Sequence, residues 1–170
     1  SLARAHAVIL THAESVSDAE IEQILRAVLD VKRDLVIAVS EHAWGGLDVT
    51  GEDGPMPVGW LAGKRVVGVC AIGNPGPFFE ALKANAGEVV GEIRLRDHDP
   101  YRGATVQRIV SAAQNADAIV CTAKDWSKLR HVEPNRWPVP VVRPGLTLRM
   151  RTGERELSDL ILRAARTGVE

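Results

Sequence analysis

The chain has 170 residues, with 21 basic and 22 acidic side chains and a formal net charge of -1. That balance gives no field to gather nucleic acid, and a hydrophobic share of 45% suits an ordinary globular core. No apolar run approaches the roughly 18 residues a membrane span needs and no basic-then-apolar leader opens the chain, so the expectation is one soluble, cytosolic domain over residues 1–170.

Ala5 to Leu10 reads as a first strand, and Ser17 with Glu20 has the Ser-x-x-Glu spacing of a helix-starting capping box. Ile21, Ile24, Leu25, Val28 and Leu29 then recur at helical intervals, which puts them on one buried face until Lys32 and Arg33 close the helix. Leu35 to Val39 is the next strand, and strand, helix, strand with short turns is the pattern of a parallel βαβ unit. The stretch from Trp44 to Gly63 breaks this rhythm. Rich in glycine and proline and carrying Trp44 and Trp60, it reads as an irregular excursion with one short strand candidate near Leu47 to Val49.

Regularity returns with a strand from Arg65 to Ala71, the turn Gly73-Asn74-Pro75-Gly76-Pro77, and a helix that turns Phe78, Phe79 and Leu82 to one side. A strand from Glu88 to Leu95 leads into Arg96-Asp97-His98-Asp99-Pro100-Tyr101, and Val106, Ile109, Val110 and Ala113 mark another helix. The strand Asp117 to Cys121 then ends in Thr122-Ala123-Lys124-Asp125. Two late strands follow, Pro138 to Val142 and Leu146 to Met150, the first expected at a sheet edge because proline cannot donate to a ladder. A last helix from about Glu156 to Arg166 should turn Leu157, Leu160, Ile161 and Ala164 inward. The predicted fold is a three-layer α/β/α, Rossmann-like domain with a mainly parallel sheet.

Cys70 and Cys121 sit within Val- and Ile-rich runs and read as core packing; with no Cys-x-x-Cys and no paired histidines beside them, no metal site is predicted. Reactive side chains in open α/β domains gather where strands end, so the turns at Asp97 to Tyr101 and Thr122 to Asp125 form the candidate site, delivered by two neighbouring strands. His98 is of a type that exchanges protons near neutral pH, and Asp97 or Asp99 could fix its tautomer; the plainer alternative has Asp97 capping the next helix and His98 merely solvated. Lys124 could neutralise phosphate, and Asp125 could pair with it or begin a short helix. Asn74 lies in a helix-opening turn that either attracts an anion or simply connects. His6, His12, His42 and His131 receive no role, though His12 and His42, read as strand ends, could reach the same rim as His98. Neither Gly-x-x-x-x-Gly-Lys-Ser/Thr nor a Gly-x-Gly-x-x-Gly after the first strand occurs, so the chain has no recognisable nucleotide cradle. Leu2 to His6 enters a core strand almost at once, which reads as a cut within a longer protein.

Taken in order, Ala7-Val8-Ile9-Leu10-Thr11, Gly73-Asn74-Pro75 with Phe78-Phe79, Asp97-His98-Asp99-Pro100-Tyr101, and Thr122-Ala123-Lys124-Asp125-Trp126-Ser127-Lys128-Leu129 resemble the C-terminal half of the tetraacyldisaccharide 4'-kinases. The resemblance implies a kinase that phosphorylates the lipid A precursor disaccharide at the cytoplasmic face of the bacterial inner membrane. It implies an N-terminal P-loop domain in cis, absent from this chain, that holds ATP and Mg2+; the fragment alone would be soluble, inactive and without cofactor, reaching the membrane only peripherally through the whole protein. By the same resemblance His98 matches the histidine that works with an aspartate of the missing half to activate the sugar 4'-hydroxyl. Asp97 is read as the second catalytic candidate, and Lys124, Asp125 and Asn74 as substrate-binding. Asp99 stands where many members carry a second histidine, and Ala123 where the family usually has glutamate. Two other readings stay open: a stand-alone module for a nucleotide-sugar or small anion, and an interaction domain using the Trp44 to Gly63 segment to cover a partner.

Overall fold

The computed structural model describes residues 2–167. Six strands and five α-helices are present among them: β1 (Ala7–Leu10), α1 (Asp18–Val31), β2 (Val36–Val49), β3 (Arg65–Cys70), α2 (Gly76–Asn85), β4 (Glu88–Arg94), α3 (Gly103–Ala112), β5 (Ala118–Cys121), α4 (Ala123–Leu129), β6 (Val141–Thr152) and α5 (Glu154–Thr167). The expected α/β class with a mainly parallel sheet is what these elements form. The chain gathers into two compact units, residues 1–43 with 147–170, and 44–146.

In the first unit β1 lies parallel to β2, Ala7 opposite Val36 and Leu10 opposite Val39, and β2 neighbours β6. α1 starts as its sequence demands: the Glu20 backbone N–H donates to Ser17 Oγ, and the Ser17 N–H donates to Glu20 Oε2 at 2.9 Å. Ile21 packs with Ala13 and Val39, and Leu10 and Leu25 flank them. Ile24 is exposed rather than part of that face. The same correction applies to α5, where Ile161 is 57% exposed and only Leu157 and Leu160 are partly covered.

The second unit carries the larger core. Its strand order is β2-β6-β5-β3-β4, with β3 parallel to both β4 and β5, and β5 parallel to β6. Partners along β2 and β6 run in opposite senses: Asp48 pairs with Arg143, and the Thr50 N–H donates to Val141 O at 3.0 Å, so this pair is the antiparallel exception. Two hydrophobic clusters form, one around Phe79, Leu82 and Val66, the other around Val67, Ile109, Ile119 and Leu129. Phe78, Phe79 and Leu82 of α2, and Val106 and Ile109 of α3, are buried as their spacing predicts.

Three expectations need correction. β2 does not stop at Val39 but continues to Val49, taking in the first residues, 44–49, of the presumed irregular excursion. Trp44 and Trp60 pack against the Leu47 cluster, and Met56 closes a two-way backbone bridge with Leu47, which removes the main support for an interaction domain built on this segment. The two late strands are one, Val141–Thr152, and it runs between β2 and β5, not at an edge. Pro138 and Pro140 precede it, so they cost the ladder nothing.

Candidate functional site

Three turns of the second unit leave the same edge of the sheet. β3 is parallel to the strands on both sides, so the turns after β3, β4 and β5 all lie at carboxyl ends. The chain passes from β3 to β4 on one side and then back across to β5 on the other, and this reversal of strand order is where open α/β sheets leave a crevice. β4 and β5 are not neighbours, as the sequence suggested; β3 lies between them, yet their turns still meet.

They meet at Asp97. Its Oδ1 accepts from Lys124 Nζ at 2.9 Å and from the His98 backbone N–H at 3.0 Å, while His98 Nε2 lies 3.8 Å from Oδ2. The Lys124 hydrogen bond, helped by the His98 and Lys124 charges and the His98 backbone N–H, outweighs the desolvation cost and holds the Asp97 carboxyl below the ordinary carboxylate range. Lys124 therefore pairs across the site and not with its neighbour Asp125. Asp97 does not cap the following helix either, since the residue before α3 is Arg102 and no side chain caps it.

His98 is 74% exposed, with a backbone φ of 64°, and Tyr101 in the same turn has φ 54°. Two non-glycine residues in the left-handed region within four positions mark a turn that its surroundings hold in place. The holding contacts are visible: the Tyr101 N–H donates to Asp99 Oδ1 at 2.7 Å, and Lys128 Nζ donates to Asp99 O at 2.6 Å. Tyr101 itself is buried beside Val69 and Ile109, and burial followed by the nearby Asp125 carboxyl pushes its phenol far above the usual range.

Asp125 is placed differently from its expected part as a substrate contact. It is 1% exposed; Oδ2 accepts from Thr122 Oγ1 at 2.6 Å and Oδ1 from the Ala71 N–H at 3.1 Å. A carboxyl so enclosed cannot touch a ligand, but it ties the end of β3 to the start of α4 and thereby fixes Lys124. Asn74 is exposed in the turn before α2, and no hydrogen bond among the described residues joins its side chain to Asp97, His98 or Lys124. Cys70 and Cys121 are buried, and desolvation pushes the Cys70 thiol up to about 11, so both serve packing.

His12 and His42 lie in the first unit. His42 falls within β2 and so does not end a strand, and its ring stacks on that of His12 with centroids 4.2 Å apart. Sequence reading missed this pairing because the two histidines are far apart in the chain and share no short motif.

A profile of the family described as LpxK, tetraacyldisaccharide-1-P 4'-kinase, matches residues 1–165. The tetraacyldisaccharide 4'-kinase of Koribacter versatilis is 34% identical over 99 residues, 57% of this chain and 30% of that protein. Those of Nitrobacter winogradskyi and Methylorubrum populi are 35% identical over 100 residues and 42% identical over 69, covering 57% and 40% of this chain but 30% and 21% of the relatives. The chain thus spans under a third of the length of these relatives. A crystal structure of LpxK from Aquifex aeolicus in complex with ATP is similar in fold, with a TM-score of 0.55 at 18% identity over 92% of this chain and 51% of that one.

Proposed function

This chain belongs to the tetraacyldisaccharide-1-P 4'-kinase family, and from that premise we propose that it is the C-terminal, substrate-facing part of a longer kinase that phosphorylates the 4'-hydroxyl of the lipid A precursor disaccharide. The observation that carries this reading is the Asp97, His98 and Lys124 constellation at the carboxyl edge of three parallel strands. His98, exposed and fixed by its turn, takes the proton from the sugar hydroxyl as that oxygen bonds the transferred phosphorus and ADP departs. Asp97 steadies the imidazole and the developing imidazolium. Lys124 supplies positive charge to the phosphoryl group, in a reaction that depends mainly on positioning and charge neutralisation.

ATP and Mg2+ are the expected co-substrate and metal, and the residues here do not fit them: the sequence has no P-loop motif, and Asp97 Oδ1 is already taken by Lys124. We therefore assign their binding to a P-loop domain in cis. Apolar side chains left uncovered on the first unit, Val31 at 60% and Leu162 at 55% exposure, support such a partner. No helix of the described residues is long and apolar enough to cross a membrane. The proposal has the whole protein act peripherally at the cytoplasmic face of the inner membrane, with this fragment soluble and inactive alone.

The test is His98→Ala in the full-length kinase, which should lower kcat by roughly 100-fold or more while leaving KM and the circular dichroism spectrum near wild type. Undiminished turnover would remove His98 from the chemistry. Calorimetry of the isolated chain separates the alternative: tight binding of a nucleotide or nucleotide-sugar by residues 1–170 alone would favour a stand-alone module opening at Asn74.

A further inference from the structure

We propose that His12, Glu14 and His42 form a binding site for one borderline-soft divalent transition metal ion of the Zn2+ class, clipping the turn after β1 onto β2. One donor atom from each residue lies within 4.8 Å of the other two. His12 Nδ1 is 3.2 Å from Glu14 Oε1, and His42 Nδ1 is 3.8 Å from the same oxygen. A tetrahedral zinc ion with bonds of about 2.0–2.1 Å sets its ligand atoms about 3.3–3.4 Å apart, so the two distances bracket the required edge.

The surroundings prepare these groups. His42 Nδ1 is buried and has no hydrogen-bond partner, a costly state that metal coordination would relieve. Glu14 Oε2 accepts from the His42 backbone N–H at 3.0 Å, which aims Oε1 at the two rings. His12 is held at φ 61°, in the left-handed region, and its ring stacks on that of His42 with an interplanar angle of 28°.

Two imidazoles and one carboxylate suit Zn2+ or Co2+ and disfavour Mg2+ and Ca2+, which take oxygen. Three protein ligands also leave a coordination position for water. This site stands apart from the kinase reading and uses none of its residues.

Chelator-stripped chain titrated with Zn2+ by calorimetry should bind one equivalent in the micromolar range or tighter, and Co2+ should give the visible absorption of a low-coordinate nitrogen and oxygen site. His42→Ala and Glu14→Gln should each weaken binding at least about 100-fold, the upper end of what losing a mere supporting partner costs. His12→Ala, which removes an exposed ring and spares the core, should do the same, whereas His131→Ala should leave the isotherm unchanged. Absence of saturable Zn2+ binding, an equivalent that survives His12→Ala, or displacement of Zn2+ by equimolar Mg2+ would overturn the assignment.

Discussion

Asp97 is the residue on which the candidate site turns, because one carboxyl holds both a lysine from another strand end and the strained backbone of its own turn. Since the Lys124 hydrogen bond depresses its pKa in the folded state, the stability it supplies is present above the unfolded value of 3.8 and is lost as pH falls through the folded value. A carbon-13 NMR titration should therefore place the Asp97 carboxyl midpoint below 3.8, and Lys124→Ala should move it upward; an unmoved midpoint would deny the pairing. Asp125 works by a different route. Asp125→Ala leaves the buried Ala71 N–H and the Thr122 hydroxyl without their acceptor, which should cost roughly 3 kcal/mol in urea denaturation, with Asp125→Asn recovering part of it. His98 and Lys124 were legible in the sequence because turn residues after apolar runs announce themselves. The enclosure of Asp125 was not, since it arises from β3 and α4 meeting across residues distant in the chain.

Among elements, the local rules served α1 and α2 well: the capping box at Ser17 and the buried stripe of α2 are written in short spacings. At α4 the cap is Thr122, where the sequence reading looks to Asp125 to begin the helix. The local rules failed on β2 and β6, where Gly45-Gly46 and Pro144-Gly145 look like breaks. Both stretches instead run inside continuous strands, and a Cβ on Gly145 would sit 3.7 Å from Gly46 O, an ordinary contact, so no close approach calls for glycine there. Gly68 in β3 is different. A Cβ there would stand 2.6 Å from Leu82 Cδ2 and 2.7 Å from Phe79 Cε1, both on fully buried side chains with no room to retreat. Gly68→Ala should accordingly destabilise the chain by about 1–3 kcal/mol, read as a lower denaturation midpoint at unchanged slope.

At the scale of the whole chain, the class was legible in the sequence, whereas the grouping of contacts into two compact units was not, because alternation of strand and helix says nothing about how contacts partition. The second unit encloses two extensive hydrophobic clusters, while the buried apolar residues described in the first are Ala13, Ile21, Leu35, Ala38 and Val39. The first unit also leaves Ile9, Ile24, Val31, Ile161 and Leu162 exposed. Local opening free energy follows buried apolar contact, so the two units should differ in protection even where both are regularly hydrogen-bonded. Amide hydrogen exchange of the isolated chain should find the slowest amides in Val66–Cys70 and Ala118–Cys121, with β1, α1 and α5 exchanging at least roughly 100-fold faster. On the proposal that a P-loop domain covers the apolar residues of the first unit, the gap should narrow in the longer protein, because such cover raises the opening energy of that unit without touching the core of the second. Equal protection of the two units in the isolated chain would mean that the first needs no such cover.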